Sequence, residues 1–304
     1  MDNEFILLDR LDVIRKVINK YGEDNFVISF SGGKDSTILH HLIDMAIPNN
    51  KISRVFIDTG IEYQLIRSFV NNFVENDDRF EIIKPQFPLG KIFKQYGYPF
   101  KSKEHSQLVH MFQQNGFSKS VYRYINPPEH RKRFGCPKIL MYQFEEGNAL
   151  KISKECCDKL KKQPFSSWQI NNNKPYKLTG ERVSEGGLRS SHGDCLVVDK
   201  QGKLKKFKPL NKVTDEWIEW FIKKYDIELC ELYNEQFNFK RTGCLGCPYN
   251  LKISNDLNVL YDKLPNEYNK AIRLWKPVYD EYIRLGYRLK SYPHEKQDKK
   301  GSIR

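Results

Sequence analysis

The chain has 304 residues, with 51 Lys+Arg against 38 Asp+Glu, for a net charge of +13. Hydrophobic residues make up 39% and aromatics 13%, enough apolar material for a core, which excludes a wholly disordered chain. Apolar runs such as 26–30 are too short to span a bilayer. The opening MDNEFILLDR lacks the apolar stretch and small-residue cleavage site of a secretory signal. These features predict a soluble, cytoplasmic protein without membrane contact. The charge points to an anionic partner, a nucleotide, RNA or DNA; a merely lysine-rich surface is the alternative.

Residues 4–21 put Ile6, Leu7, Leu11, Ile14, Val17 and Ile18 on one helical face, and Gly22 closes the helix. Residues 25–30 read as a short buried strand that enters Ser31-Gly32-Gly33-Lys34-Asp35-Ser36. A helix carrying Ile38, Leu39, Leu42 and Ile43 follows. Further strands are predicted at 52–57, at 79–83 and near Leu178. Strand, glycine-rich turn and helix form the opening of an open, mainly parallel α/β sheet flanked by helices. Residues 91–150, rich in Lys, Arg, His and Tyr, read as a partly helical basic insert. Its Arg123, Arg131, Lys132 and Arg133, interleaved with Tyr122, Tyr124 and Phe134, suit a nucleic-acid backbone and stacked bases, or else a solvated loop. Thr214 caps a helix at 214–225. Residues 255–285 are helical in pattern, and the polar tail is expected to fray. The expected organisation is one α/β domain over 1–250 and a C-terminal helical appendage with a basic tail over 251–304.

The turn at 31–36 carries chemistry. Two glycines let backbone N–H groups approach phosphate oxygens. The helix N-terminus adds partial positive charge, Lys34 a full one, and Ser31 and Ser36 hydroxyl donors. The turn lacks the eight-residue spacing of a Walker A loop. It matches the SGGxDS loop of the PP-loop ATP pyrophosphatases, which cleave ATP between its α- and β-phosphates.

From about residue 24 to 250 the chain resembles the adenylyl-sulfate and phosphoadenylyl-sulfate reductase family of the PP-loop superfamily, whose fold is adenine nucleotide alpha-hydrolase-like. Asp58-Thr59-Gly60 resembles the family's DTG segment, which implies contact with the adenosine. Residues 180–189 (GERVSEGGLR) are similar to its GxRxxES…R segment, and the resemblance places Arg182 and Arg189 on the nucleotide's phosphates or transferred group. Lys208-Pro209-Leu210, the Trp217/Trp220 helix and Leu232-Tyr233 match its later PL…W…LY pattern.

Seven cysteines, an odd number without signs of secretion, argue against a disulfide framework. Cys156-Cys157 and the distant Cys244-Leu245-Gly246-Cys247 resemble the [4Fe–4S] site of assimilatory adenylyl-sulfate reductases. Four thiolates also suit structural Zn²⁺. Lys159, Lys161 and Lys162 would balance a cluster's negative charge. Cys136, beside Arg133 and Lys138, is a candidate sulfur carrier whose thiol the nearby cations should lower; a spare loop cysteine is the alternative. Cys195 is a weaker candidate, and Cys230 is expected in the core.

The family's reductases carry a nucleophilic cysteine in an ECGxH-like tail motif and a degraded phosphate loop. Here no cysteine follows Cys247, and the loop keeps its lysine. That combination resembles the superfamily's sulfur-insertion enzymes, the DNA-phosphorothioation sulfurtransferases and the cluster-containing tRNA thiolases. The implied reaction begins with Mg²⁺-bound ATP. A substrate oxygen attacks the α-phosphate, pyrophosphate leaves, and Lys34, Arg182 and Arg189 stabilise the developing charge. Sulfur, with a cysteine desulfurase as a possible donor, then displaces AMP from DNA, tRNA or a small acceptor. A sulfonucleotide reductase and a non-catalytic nucleotide- and cluster-binding subunit are the rival readings.

Overall fold

The computed structural model describes residues 2–147, 150–185 and 194–295. In chain order the helices and strands are α1 Asn3–Tyr21, β1 Phe26–Ser29, α2 Lys34–Ala46, β2 Ser53–Ile57, α3 Gln64–Asn76, β3 Phe80–Ile83, α4 Leu89–Tyr96, α5 Lys103–Asn115 and α6 Lys119–Ile125. They continue with the single turn α7 Glu155–Cys157, then α8 Gln163–Asn171, β4 Tyr176–Leu178, β5 Leu196–Val198, β6 Leu204–Phe207, α9 Asp215–Lys224, α10 Ile253–Lys263 and α11 Pro265–Arg284. Two compact units result. One comprises residues 1–85 and 163–242, the other 86–162 and 243–304. The basic insert and the C-terminal helices thus belong to the same unit. No helix among the described residues is long and apolar enough to cross a membrane.

The first unit holds a six-stranded sheet in the order β3-β2-β1-β4-β6-β5. All neighbours pair parallel except β5 with β6. This is the mainly parallel, helix-flanked sheet expected from the sequence. Phe26, Val27 and Ile28 of β1 are fully buried, as a central parallel strand covered on both faces requires. Val27 and Val55 pack under Phe165 and Trp168 of α8, and the Trp168 indole donates to Glu81 at 2.8 Å. The chain runs outward from β1 to β2 and β3, then returns to the other side of β1 as β4. The order therefore reverses between β1 and β4. A crevice outside the carboxyl ends of those strands is where open α/β sheets hold ligands.

Sequence periodicity missed β5 and β6, which are only three and four residues long, and two of the four residues of β6 are lysines. Their hairpin signal is the Asp199-Lys200-Gln201-Gly202 turn. The Asp199 carboxylate accepts from the N–H groups of Gln201 and Lys203, both at 3.0 Å, and Gly202 has φ +78°.

In the second unit the insert is helical through α4, α5 and α6. The C-terminal helical stretch divides at Leu264-Pro265 into α10 and α11, since Pro265 cannot donate within the preceding helix. α11 buries Tyr268, Trp275, Tyr279 and Tyr282.

Candidate functional site

The loop after β1 folds on its own polar groups. Gly33 N–H donates to Ser31 Oγ at 3.3 Å, Ser31 Oγ and Ser36 Oγ lie 3.0 Å apart, and Ser36 Oγ donates to the Gly33 carbonyl at 2.8 Å. Gly32 has φ +67°, which favours glycine. A Cβ at Gly33 would come within 3.3 Å of Tyr233 Oη. Lys34 N–H donates to that hydroxyl at 3.0 Å, and Tyr233 Oη lies 2.7 Å from Thr242 Oγ1. The segment that begins with Leu232-Tyr233 therefore closes over the phosphate loop. Burial pushes the Tyr233 hydroxyl up, so it stays protonated and available as a donor.

Two cavities open here. One of about 250 Å³ is lined by Ser31, Gly33, Lys34, Thr179, Gly180 and Tyr233, among others. Another of about 400 Å³ is lined by Lys34, Asp35, Arg182, Asp215, Glu219 and Arg241, among others. They are the crevice at the β1/β4 reversal. Lys240 lines both cavities. Lys240, Arg241, Thr242 and Glu219 line this crevice without having been singled out in the sequence, and Asp215, expected only in the first turn of its helix, faces it too. A Lys-Arg-Thr run following the LY pattern was the available signal.

Lys34 Nζ pairs with Glu219 Oε1 of α9 at 3.1 Å. Arg182 is 5% exposed. Its Nε donates to Asp35 at 2.9 Å, its Nη1 to Ser184 Oγ at 3.1 Å, and its Nη2 pairs with Asp215 at 2.7 Å. Of the three predicted cations, Lys34 and Arg182 therefore reach the crevice, Lys34 paired with one carboxylate and Arg182 with two. The Arg182 hydrogen bond and charge hold the Asp215 carboxyl below its usual range. Arg189 lies outside the described residues.

Asp58, Thr59 and Gly60 follow β2 and line neither cavity. Burial pushes Asp58 up, but hydrogen bonds from Arg67 and from the Gly60 N–H hold it below the usual carboxylate range. Thr59 donates from its hydroxyl to Glu62 at 2.7 Å and from its N–H at 2.9 Å. This closes the turn and leaves the space beside Gly60 open, with nothing within 4 Å of a Cβ there.

The second unit brings the four paired cysteines into electrostatic reach of one another. Burial and then the neighbouring thiols Cys157, Cys244 and Cys247 push the Cys156 thiol up; burial and then Cys244 do the same to Cys247. Cys157 is also raised, by burial first, while Lys103 and Lys161 pull it back. Lys159 instead lies over the Tyr96 ring, 5.3 Å from its centroid, and Lys162 pairs with Asp158 at 2.5 Å. Among the described residues no three His, Cys, Asp or Glu side chains stand close enough to share a single metal ion. By donor type alone, the thiols of Cys156, Cys157, Cys244 and Cys247 suit a soft metal, zinc or iron.

The Cys244–Cys247 turn is strapped to α11. Trp275 Nε1 donates to the Leu245 carbonyl at 2.8 Å, the Tyr279 hydroxyl to the Gly246 carbonyl, and the Tyr282 hydroxyl to the Pro248 carbonyl at 2.9 Å. Gly246 has φ +62°, and a Cβ there would lie 2.6 Å from the Tyr279 hydroxyl. The Tyr249 hydroxyl reaches the Ser153 carbonyl at 3.5 Å, just before Cys156.

The expectation that cations lower the Cys136 thiol is reversed. Burial pushes it up to about 11, and Lys101 pulls it back only in part. Desolvation of the thiolate outweighs one partly buried ammonium. Cys195 receives a hydrogen bond from Arg10 Nη1 at 3.6 Å. Cys230 is buried, as expected.

The phosphoadenosine phosphosulfate reductase domain family matches residues 25–124 and 101–250. No curated protein matches the chain. Among solved structures, phosphoadenylyl-sulfate (PAPS) reductase from Candida auris is 14% identical (TM-score 0.43; 77% of this chain, 93% of that one). FMN adenylyltransferase from Candida glabrata is 12% identical (TM-score 0.45; 79% and 62%). The [4Fe-4S]-bearing U34-tRNA thiolase NcsA from Methanococcus maripaludis is 15% identical (TM-score 0.39; 91% and 80%). With its match running from residue 25 to 250, well over half its length, the chain belongs to the phosphoadenosine phosphosulfate reductase domain family.

Proposed function

We propose that the chain is an ATP-dependent sulfurtransferase that activates its acceptor by adenylation, with nucleic acid as the acceptor class. The observation that carries this reading is Lys34. It stands in an intact Ser31–Ser36 loop, at the N-terminus of a 13-residue helix, in a crevice also lined by Lys240 and Arg241. Helix end and three cations together favour a triphosphate.

The residues divide the work. The loop and Lys34 hold the β- and γ-phosphates of Mg²⁺–ATP. Arg182, clamped between Asp35 and Asp215, is positioned to meet charge that develops at the α-phosphate. An acceptor oxygen attacks the α-phosphorus, the bond to the bridging oxygen breaks, and pyrophosphate carries away the electron pair. The terminal sulfur of a persulfide then attacks the activated centre of the acceptor, AMP leaves with the bonding electron pair, and a second thiol cleaves the resulting disulfide to release the thiolated acceptor. Cys156, Cys157, Cys244 and Cys247 would hold the metal centre. A [4Fe–4S] cluster, when bound, supplies a thiophilic metal site that presents sulfur. Lys161 balances its charge. The sulfur itself comes from a donor of the cysteine desulfurase class.

The test is anaerobic purification, with iron and sulfide counted and pyrophosphate release from ATP followed on the same sample. About four irons per chain with pyrophosphate release that Lys34→Ala abolishes is the expected result. Zinc in place of iron would replace the cluster by a structural site. Turnover of adenylyl sulfate without ATP cleavage would overturn the reading in favour of a reductase.

A further inference from the structure

A cavity of about 820 Å³ lies wholly within the unit formed by residues 86–162 and 243–304, and the reaction above does not use it. Its volume suits a ligand of substantial size. Its apolar wall is aromatic. Phe112 meets Phe117 at 4.9 Å and Phe144 at 5.8 Å between ring centroids. Phe117 is 62% exposed, a large ring left uncovered where a planar ligand could stack. The lining also carries His110, Gln114, Glu145, Glu146 and Lys151.

One wall is fixed in advance. The Lys151 carbonyl accepts from Tyr98 N–H at 2.8 Å, and a Cβ on Gly97 would lie 2.3 Å from that oxygen. Gln113 grips both sides of the same segment, donating to the Leu150 carbonyl at 2.8 Å and accepting from Ile152 N–H at 3.1 Å. Its amide is thereby spent on structure.

Aromatic faces with a polar rim favour a flat heterocycle with hydrogen-bonding edges over a purely apolar ligand. Elsewhere in the same unit, Tyr122 and Phe134 are 62% and 56% exposed. They alternate with Arg123, Arg131, Lys132 and Arg133, and the Arg133 guanidinium lies 4.6 Å from the Phe134 ring centroid. Cations interleaved with exposed rings suit a single-stranded phosphate backbone with splayed bases. Carboxylates at Glu145 and Glu146 would repel phosphate but accept from an exocyclic amino group, as acidic side chains do from cytosine.

We propose that this cavity holds one unstacked base of a single-stranded nucleic acid, with preference for bases that carry an exocyclic amino group, such as cytosine and adenine, over thymine and uracil. The inference rests on the nucleic-acid reading of the acceptor and specifies how that acceptor is read. Phe117 supplies the stacking face, Glu145 and Glu146 read the base edge, and Arg123, Arg131 and Lys132 meet phosphates.

The experiment measures binding of fluorescein-labelled oligo(dC), oligo(dA) and oligo(dT) to the full chain by anisotropy at two salt concentrations. Pyrophosphate release is measured separately. Phe117→Ala should weaken oligo(dC) and oligo(dA) about 10- to 100-fold and leave basal pyrophosphate release unchanged. Glu145→Gln with Glu146→Gln should erase the preference for dC over dT with little loss of total affinity. Arg123→Ala should weaken all three oligonucleotides alike and flatten the salt dependence. An unchanged melting temperature establishes that each variant is folded. Oligonucleotide affinity indifferent to Phe117, or binding without base preference, overturns the pocket. Base-selective, Phe117-dependent binding without pyrophosphate release would sink the sulfur-transfer reading and leave the pocket standing.

Discussion

The Lys34 ammonium lies 3.1 Å from the Glu219 carboxylate, joining the first residue of α2 to α9 across the phosphate crevice. Glu219 is the more exposed partner, at 58% against 17% for Lys34. A pair with one wet partner contributes about 0.2–1 kcal/mol, so a triphosphate can take over Lys34 at little cost. Lys34→Ala should therefore lower pyrophosphate release by at least about 100-fold. Glu219→Gln should change the KM for ATP by less than about fivefold. Steady-state kinetics of the two variants check this. A Glu219→Gln loss as deep as that of Lys34→Ala would show that the carboxylate itself takes part in the chemistry.

Gly180 sets how closely the end of β4 approaches α2. A Cβ there would lie 2.6 Å from the Asp35 carbonyl oxygen and 2.8 Å from its carbon. Both are backbone atoms and cannot swing away. Gly180→Ala should cost about 1–3 kcal/mol of stability and push Asp35, with the Arg182 it holds, out of place. ATP binding should fall with the melting temperature, whereas Gly60→Ala, with open space around it, should strain only its φ of +82°. Calorimetric titration with a non-hydrolysable ATP analogue, beside thermal melts, separates the two. Normal ATP affinity in Gly180→Ala would exclude the close approach as a requirement of the site.

Much of this arrangement was legible in the sequence because it is local. The strand–loop–helix at 26–46 announces itself by a buried apolar run, two glycines and a helical apolar face. The Thr214 cap needs only its own hydrogen bond to Trp217 N–H, 3.2 Å in length. What escaped is long-range. Tyr233 reaches Lys34 across 199 positions and Glu219 reaches it across 185, and no periodicity encodes such a pairing. The Cys136 thiol was misjudged for a related reason. Adjacent Arg and Lys letters are visible in sequence, whereas the burial that outweighs them is not. Lys159 and Lys162 likewise flank the cysteine pair in sequence, but neighbouring Tyr96 and Asp158 side chains hold them.

The cysteine turn depends on α11 for its shape. Trp275→Phe keeps most of the packing but leaves the buried Leu245 carbonyl without its 2.8 Å donor. An unsatisfied buried acceptor costs about 1–3 kcal/mol. Iron content after anaerobic reconstitution should fall in this variant and vanish in Cys244→Ser, while Cys136→Ser should keep the full count. Loss of iron in Cys136→Ser would move that residue into the donor set.

Stability should fall on mild acidification, because two histidines are buried neutral. Burial pushes His40 down to about 3 against the pull of Asp44, and His105 down to about 4 despite its hydrogen bond with Gln143. In the unfolded chain each titrates near 6.5. Below that pH the unfolded state takes up protons that the folded state refuses. Each site therefore loses up to about 1.4 kcal/mol per pH unit, from about 6.5 down toward its folded value, or roughly 2 kcal/mol apiece by pH 5. Asp44 acts in the same direction at lower pH. Burial pushes it up, yet Arg79 and Arg54 hold it below its ordinary value, so its contribution is present above the unfolded carboxylate range and lost as pH falls through its folded value. Unfolding free energies from urea titrations at pH 7 and pH 5 should thus differ by several kcal/mol, and His105→Gln should flatten the slope. A midpoint equal or higher at pH 5 would mean that these imidazoles accept protons in the folded protein, which their burial forbids.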